Sequence, residues 1–300
     1  MKHLQTFHLI EAVMRAGSVR KASEDMNITA SALNRRIRQF EAEFGAEIFE
    51  RLPRGMRLNP AGELILQHIR AQISDLARVQ SQVADLAGVR RGHVTIACSQ
   101  ALLPYFLPAE IAAYRAANKG VTFSISVRDR AEAERDLSTF SSDLALVFEP
   151  MVMVDFEVIT SIPQPIHVVM AAGHPLAQAG EVRLRDCLDH RHVVPAAQYG
   201  VRHLLDLAAK RRLRALDPIM EAESFEFMRH YVLHEAAVAF QIPIGLDNAP
   251  TKGLVTRPIA ARDVPPGHLL LGQLRGRSLP TASALFARQL AQALEARAAA

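Results

Sequence analysis

Hydrogen-bonding side chains recur on one face of a short segment between Thr29 and Gly45. They are Ser31, Asn34, Arg35 and Arg38. Steps of three and four residues place side chains next to one another on a helix. Hydroxyl, amide and guanidinium groups in such a row match the donors and acceptors that base edges present in the major groove of DNA. The segment is therefore suited to nucleic-acid recognition.

The residues at the two ends of this segment are typical of helix boundaries. Thr29 is a typical helix N-cap and Gly45 a typical helix end, which together predict a helix between them. Ser18 is expected to cap a shorter helix upstream, and Met26-Asn27-Ile28 forms the turn that joins the two. Two helices joined by such a turn make a helix-turn-helix, whose second helix enters the major groove.

Two further elements are expected around this pair. Residues 2–16 carry apolar side chains at helical spacing and should form a helix that packs on it. Residues 48–51 and 56–58 are strand-like runs around Pro53-Arg54-Gly55, which predicts a wing whose arginines bind phosphates or the minor groove. The alternative for the wing is a solvated basic loop. The expected DNA-binding residues are Ser18, Arg20, Thr29, Ala30, Ser31, Asn34, Arg35, Arg38, Arg51, Arg54 and Arg57.

The positive charge of the chain lies in the same region. Residues 1–91 contain 14 Lys and Arg against 10 Asp and Glu, a net charge of +4. The whole chain also has a net charge of +4, from 35 Lys and Arg against 31 Asp and Glu, so the remainder is neutral. A positive excess confined to the N-terminal segment is what a polyanionic partner requires.

A long helix follows. Asn59-Pro60 is a strong helix start, and the pattern continues to about Ala87, a span of about 40 Å. Its apolar stripe predicts pairing with the same helix of a second copy, which would place two reader helices on one operator. The alternative is packing on the chain's own C-terminal part. The expected dimerisation residues are Leu66, Ile69, Ile73, Leu76 and Val83, with Gln80 and Ala87 completing the register.

Beyond a glycine-bounded linker at residues 88–92, strands and helices alternate, which is typical of α/β architecture with parallel sheets. Prolines at 163, 165, 265 and 266 interrupt the alternation, and the chain is expected to cross between two lobes at about 150–165 and 257–267. The expected strands cover residues 93–98, 121–127, 143–148, 166–170, 193–194, 237–242 and 268–271. The expected helices cover residues 108–118, 131–140, 201–212, 224–234 and 281–298.

A ligand site is expected where these strands end. In open α/β sheets, ligands collect at the carboxyl ends of strands and at helix N-termini. The alternatives are a solvated turn for Arg128, a helix cap for Ser99, a solvent-facing Gln100 and a turn cover for Tyr199. The expected ligand-binding residues are Ser99, Gln100, Arg128, Phe148, Glu149, Gln198, Tyr199, Gly200 and Val201.

Several blocks in the first sixty residues occur in one order: Ala22-Ser23, 32–37, Glu41 to Gly45, 48–51 and 57–62. This arrangement resembles the N-terminal signature of LysR-type transcriptional regulators. Where these regulators often carry Gln, this chain has Ala30, which lacks the amide that could bind adenine. Where many of these regulators have Thr or Ser, this chain has Val201.

The resemblance implies a fold, a set of partners and a site. The fold is an N-terminal all-α winged helix-turn-helix domain with a long linker helix, followed by a two-lobed α/β effector domain similar to periplasmic solute-binding proteins. The partners are a double-stranded DNA operator, an unknown small-molecule effector and other copies of the chain in a homodimer or homotetramer. The effector is expected between Ser99, Gln100 and Arg128 on one side and Gly200-Val201 on the other.

The domain limits expected from these patterns are 1–60 for DNA binding, 61–90 for the linker helix and hinge, and 91–300 for effector binding. In the last of these, lobe I comprises about 91–162 and 267–300, and lobe II about 163–266.

Other chemistry finds little support in the sequence. Cys98 and Cys187 are far apart, and Cys98 lies in an apolar run typical of a buried residue. His230 with His234, and His190 with His192, are workable ligand pairs, but neither has a third ligand at zinc-like spacing. No phosphate loop, nucleophile elbow or paired-carboxylate pattern is present. We expect no metal, no cofactor and no enzymatic activity.

The sequence also contains no apolar run long enough to span a bilayer and no signal-peptide pattern, which predicts a cytoplasmic protein. These observations together predict a ligand-responsive, DNA-binding transcriptional regulator that acts as a homo-oligomer. The alternative functions are a small-molecule-binding protein whose basic segment serves assembly only, and a metal or redox sensor.

Overall fold

The computed structural model describes residues 2–52, 55–86, 91–149, 155–211, 215–246 and 252–299. The chain divides into two compact units, Met1–Val83 and Ala84–Ala300.

The first unit begins with three helices, α1 (Lys2–Ala16), α2 (Val19–Asp25) and α3 (Ala30–Phe44). Asn27, in the turn before α3, has a φ of 53°, the left-handed conformation that Asn tolerates. The Thr29 hydroxyl accepts a hydrogen bond from the Ala32 amide, and Gly45 ends α3 with a φ of 81°. Ser18 precedes α2 in extended backbone, but its side chain makes no capping hydrogen bond, so its predicted capping role is wrong.

An antiparallel hairpin follows, formed by β1 (Phe49–Leu52) and β2 (Gly55–Leu58). The Met56 amide donates to the Gly17 carbonyl at 2.9 Å, which fixes the hairpin to the turn between α1 and α2. Gly55 has a φ of 115°, and a Cβ there would lie 2.5 Å from the Gly17 oxygen. Only glycine meets both conditions. The N-terminal unit is therefore a winged helix-turn-helix.

The long helix α4 covers Pro60–Leu86. The Asn59 side chain caps it by accepting a hydrogen bond from the Gly62 amide at 2.7 Å. Ala87, expected to close its apolar stripe, lies outside the described residues.

The first half of this stripe is covered by the core of its own unit. Leu66 is 5% exposed and Ile69 is fully buried, because both pack into the core of the N-terminal unit with Leu33, Ile37 and other apolar residues. The prediction that Leu66 and Ile69 form the dimer seam is wrong for this reason.

Further along α4, Ile73 packs at the edge of the same core and Leu76 is half-buried. Val79 and Val83 are 44% and 60% exposed, and Gln80 is also exposed. In the N-terminal half of α4, Leu64 is 72% exposed, and Val79 and Val83 form the uncovered apolar surface of the C-terminal half.

The second unit contains a five-stranded sheet in the order β4-β3-β5-β12-β6. β3 pairs in parallel with β4 and β5, whereas β12 is antiparallel to β5 and β6, so the sheet is mixed and not purely parallel as predicted. Together with its helices, this sheet is called the first lobe below. Its elements are β3 (Arg91–Cys98), α5 (Phe106–Ala117), β4 (Gly120–Val127), α6 (Arg130–Ser138), β5 (Leu144–Phe148), β6 (Phe156–Gln164), β12 (Gly267–Leu274) and α10 (Thr281–Ala299).

The second lobe lies between β6 and β12 in sequence. Its three-stranded sheet has the order β10-β7-β11 and is entirely antiparallel, and β8 and β9 form a separate parallel pair. The expectation of parallel sheets is therefore wrong for the larger of these two sheets. Its elements are β7 (His167–Ala171), α7 (Leu184–Leu188), β8 (Val193–Pro195), α8 (Gly200–Lys210), β9 (Met220–Ala222), α9 (Phe225–Tyr231), β10 (Val238–Gln241) and β11 (Leu254–Pro258).

The chain passes between the lobes at two places, after Gln164 and before Gly267. Gln164, at the end of β6, is buried at the first crossing. Its side-chain oxygen accepts a hydrogen bond from the backbone amide of Ile244 at 3.0 Å, so both buried polar groups have a partner. One buried hydrophobic cluster includes residues of both lobes, among them Phe106 and Phe286 of the first and Phe240 of the second.

Candidate DNA-binding surface and inter-lobe ligand pocket

The outer face of α3 is open to a partner. Ser31, Arg35 and Arg38 are exposed, and Asn34 is half-buried. On the opposite face, Leu33, Ile37 and Phe40 are buried and hold the helix in place. Thr29 acts as the N-cap and also lies 3.2 Å from the Ser31 hydroxyl, and Ala30 is half-buried between them.

Two arginines expected to bind DNA already have carboxylate partners. Arg20 is exposed and pairs with Glu24 at 3.3 Å, and Arg57 on β2 pairs with Glu50 on β1 at 2.8 Å. Both pairs are exposed, where ion pairs are weak and readily exchanged for phosphate. Arg54 and the Arg51 side chain lie outside the described residues.

A groove of about 810 Å³ separates α3 from the hairpin. Asn34 and Arg38 lie on its helix side, and Glu50 and Met56 lie on its hairpin side. Two of the sequence-predicted reader residues, Asn34 and Arg38, therefore border the same groove as the hairpin.

A pocket lies between the two lobes of the second unit. Its cavity volume is about 10 Å³, room for roughly one water molecule. A larger ligand can enter only if the lobes separate or the lining side chains move. The lining residues are Ser99, Ala101, Arg128, Asp129, Arg130, Val147, Phe148, Tyr199, Gly200, Val201, Phe225 and Ile242.

Six of the nine residues that the sequence placed at a ligand site line this pocket. They are Ser99, Arg128, Phe148, Tyr199, Gly200 and Val201. The ends of β3, β4 and β5 bring Ser99, Arg128 and Phe148 together, and the start of α8 supplies the others. Ser99 makes no capping hydrogen bond, which argues against the alternative that it serves as a helix cap.

The other three residues are not among the lining residues, although each is next in sequence to one of them. The Gln100 side chain accepts a hydrogen bond from the Phe225 amide at 2.9 Å and donates to the Glu223 carbonyl, so it is not solvent-facing. The Gln198 amide donates to the Glu223 carboxylate at 3.3 Å. Glu149, with a φ of 49°, accepts a hydrogen bond from the His268 amide at 2.6 Å.

Arg128 and Arg130 both line the pocket but differ in their partners. Arg128 forms a 2.7 Å ion pair with Asp136 on α6. Arg130 donates from Nη1 to the Glu149 carbonyl at 2.8 Å and from Nε to the Gln198 carbonyl at 3.3 Å. The sequence analysis missed Arg130 because its partners are distant in sequence and carry no motif.

Aromatic rings form part of the apolar walls. Tyr199 and Phe225 lie 5.7 Å apart between ring centroids, and Phe148 lies against Gly200. Burial, with the nearby Glu223 carboxylate, raises the pKa of Tyr199 above its ordinary value, so the phenol stays neutral.

Gly200 makes the close approach of the two lobes possible. A Cβ at this position would lie 2.5 Å from the Phe148 carbonyl oxygen. The amides of the first turn of α8 have no intrahelical partners, and no side chain caps them.

The cysteines are poor redox sensors. Both are buried, and burial raises the pKa of each thiol to about 12. A reactive thiol needs the opposite shift.

In the described part of the chain, no group of three or more His, Cys, Asp or Glu residues is arranged to hold a metal ion. Among the histidine pairs considered above, His230 contacts Glu226 and His192 contacts the His190 carbonyl. None of the described helices is both long enough and apolar enough to cross a membrane.

Comparison with known proteins agrees with this architecture. Residues 3–63 match the family model of the bacterial regulatory helix-turn-helix protein, lysR family, and residues 87–295 match the LysR substrate binding domain. A RuBisCO operon transcriptional regulator from Allochromatium vinosum is 28% identical over 203 residues, 68% of this chain and 67% of that protein. The regulator CbbR from Sinorhizobium medicae is 28% identical over 240 residues, 79% of this chain and 76% of that protein.

Solved structures share the fold. A full-length OxyR variant from Pseudomonas aeruginosa has a TM-score of 0.73 at 18% identity, covering 96% of this chain and 97% of that one. Full-length CbnR complexed with its target DNA has a TM-score of 0.66 at 14% identity, covering 96% of this chain and 99% of that one. With both units matched in order, the chain belongs to the LysR family of bacterial regulators and is a ligand-responsive, DNA-binding transcriptional regulator.

Proposed function

We propose that a small molecule bound in the inter-lobe pocket changes how paired N-terminal units engage the operator. The observation that carries this proposal is the pocket itself, whose walls come from both lobes and include Ser99, Tyr199 and Gly200. A ligand that enters by separating the lobes changes the angle between them. Such a change shifts the population of two arrangements of an oligomer, as ligand-driven switches do.

For DNA recognition, we propose that Arg35 and Asn34 contact base edges and that Arg38 and Arg57 contact phosphates. Arg35 is exposed and has no carboxylate partner among the described residues. Guanidinium groups on a helix in the major groove bind guanine in a bidentate manner. Ala30 offers no hydrogen bond, so base selection falls to Asn34 and Arg35.

We further propose that the C-terminal half of α4 pairs two chains. Val79 and Val83 are exposed large apolar residues of that half, among the side chains that the structure describes, and Leu76 is half-buried. Pairing brings two α3 helices to a two-fold-related operator. Such a protein acts where the bacterial DNA is, in the cytoplasm, and needs no catalytic activity of its own.

A metabolite screen by thermal shift tests the ligand-binding part. A compound that binds only the folded protein raises its melting temperature. The same compound should alter operator binding of the full chain. The proposal fails if a compound that alters operator binding gives the same thermal shift to a variant in which Ser99→Leu fills the pocket.

A further inference from the structure

The charge of Arg130 has an unusual setting in the inter-lobe pocket. Its guanidinium donates to two backbone carbonyls, those of Glu149 and Gln198. In the described part of the chain, no carboxylate lies within ion-pair distance of it, in contrast to Arg128, whose Nε lies 2.7 Å from Asp136. Carbonyl dipoles stabilise a guanidinium less than a carboxylate does. Arg130 therefore retains capacity to bind an anion.

The surroundings of Arg130 increase this capacity. Burial is the largest influence on its pKa and lowers it, although the more distant Glu149 and Asp129 carboxylates act in the opposite sense. Arg130 is half-buried, and a partly desolvated charge attracts an oxyanion more strongly than a fully exposed one. One guanidinium nitrogen, Nη2, has no hydrogen-bond partner among the described residues.

The start of α8 borders the same pocket. Gly200 and Val201 line it, and the side chain of Tyr199 at the N-cap makes no capping hydrogen bond to the helix. By contrast, α6 is closed by its own capping box between Asp129 and Glu132. The partial positive charge of a helix N-terminus favours an anion. The positive groups of Arg130 and α8 thus border one space, and Phe148 and Phe225 supply apolar surface beside them.

Resting on the proposed effector function, we propose that Arg130 is the residue that makes this pocket specific for effectors carrying an oxyanion, either a carboxylate or a phosphate. The guanidinium binds the charged group beside the first turn of α8, and the rest of the effector lies against the aromatic walls. Arg130 bonds to Glu149 at the end of the first lobe's β5 and to Gln198 in the second lobe. An anion that binds this guanidinium therefore competes with hydrogen bonds to both lobes.

Matched pairs of small compounds test this proposal without knowledge of the natural effector. The probes are inorganic phosphate, acetate with acetamide, isobutyrate with isobutyramide, and phenylacetate with phenylacetamide. Each is added to the full-length protein at equal ionic strength, and binding is measured by thermal shift and calorimetry. We expect phosphate or at least one carboxylate to bind, and the amide of the same skeleton to bind at least about ten-fold more weakly.

Four variants assign the effect to Arg130. Arg130→Gln should weaken anion binding by at least about ten-fold, and Arg130→Lys should retain part of it because the charge remains while the planar fork is lost. Arg135→Gln, on the exposed side of α6, removes the same charge from the same helix and should leave anion binding unchanged. Ser99→Leu, which fills the pocket, should abolish it. A circular dichroism melt of each variant without ligand shows whether it is folded.

The outcomes separate this inference from the proposed function. Anion binding that survives Arg130→Gln but not Ser99→Leu overturns the role of Arg130 and leaves the pocket intact. If the amides bind as tightly as the matching carboxylates, the proposed role of Arg130 is likewise overturned. Anion binding that survives both variants places the ligand elsewhere and contradicts the proposed pocket. No binding by any anionic probe also overturns the inference, and the operator experiments then test the proposed function independently.

Discussion

The side-chain oxygen of Gln100 accepts a hydrogen bond from the backbone N–H of Phe225 at 2.9 Å. This bond joins the end of β3 in the first lobe to the start of α9 in the second. The Gln100 amide also donates to the Glu223 carbonyl, and Arg229 of α9 donates to the Tyr105 hydroxyl at 2.5 Å. Hydrogen bonds of the chain itself thus hold the lobes together beside the pocket.

Removing this bridge should loosen the contact without unfolding the lobes. In Gln100→Ala the Phe225 amide loses its acceptor, and we expect its hydrogen exchange to accelerate by about ten-fold, the equivalent of about 1.4 kcal/mol. Hydrogen exchange with mass spectrometry measures this directly. Gln72→Ala, an exposed change on α4, is the control and should leave exchange at Phe225 unchanged. Equal exchange in Gln100→Ala and the wild type would refute the bridging role.

The reader helix makes a separate prediction. Arg35→Ala should weaken operator binding by about 1–3 kcal/mol and relax base preference at one position of each half-site. Arg57→Ala in the wing should weaken binding to all sequences alike and reduce the salt dependence. Arg15→Ala, an exposed arginine of α1, controls for loss of one positive charge. Equal, sequence-independent losses for Arg35→Ala and Arg57→Ala would exclude α3 as the reader.

The exposed half of α4 predicts where the dimer can be broken. Val83→Asp places a carboxylate in the proposed seam and should shift the protein toward monomer in sedimentation, because an unpaired buried charge is strongly unfavourable. Its neighbour Gln82 is also exposed, and Gln82→Asp is the matched control. Ile73→Asp is a poorer test, since Ile73 packs on the core of its own unit. An unchanged oligomer in Val83→Asp would place the interface elsewhere.

Both buried thiols predict a pH dependence of stability. Folding raises the pKa of Cys98 and of Cys187 to about 12 from an ordinary value of 9.0. The folded state therefore favours the neutral thiol, and this contribution is complete below pH 9 and is lost as the pH rises toward 12. Urea unfolding between pH 8 and 11 should show the decline, and Cys98→Ala should make it less steep. Rapid reaction of the folded protein with a thiol reagent at pH 8 would contradict this description.

Local signals predicted the N-terminal unit well. Thr29, Asn59 and Gly45 act through hydrogen bonds or dihedral angles within a few residues, so their types alone indicate the helix boundaries. The stripe on α4 was misassigned at Leu66 and Ile69 because periodicity shows that a face is buried but not what buries it.

The second unit was harder to predict. β6 was missed because Pro163 lies within it, although an edge strand tolerates proline, and β11 likewise ends at Pro258 on the edge of its sheet. The strand ends led to Ser99 and Arg128. Nothing in the local sequence marks Arg130, whose partner carbonyls at Glu149 and Gln198 are 19 and 68 residues away.

Footprinting of the operator is the most direct test of the central claim, that occupancy of the inter-lobe pocket controls how α3 engages DNA. Full-length wild type and Ser99→Leu would each be bound to the operator, with and without a compound that raises the melting temperature of the wild type. We predict that both proteins bind the operator and that the compound changes the extent of protection, or the bend at its centre, only in the wild type. The same change in both proteins would contradict the account.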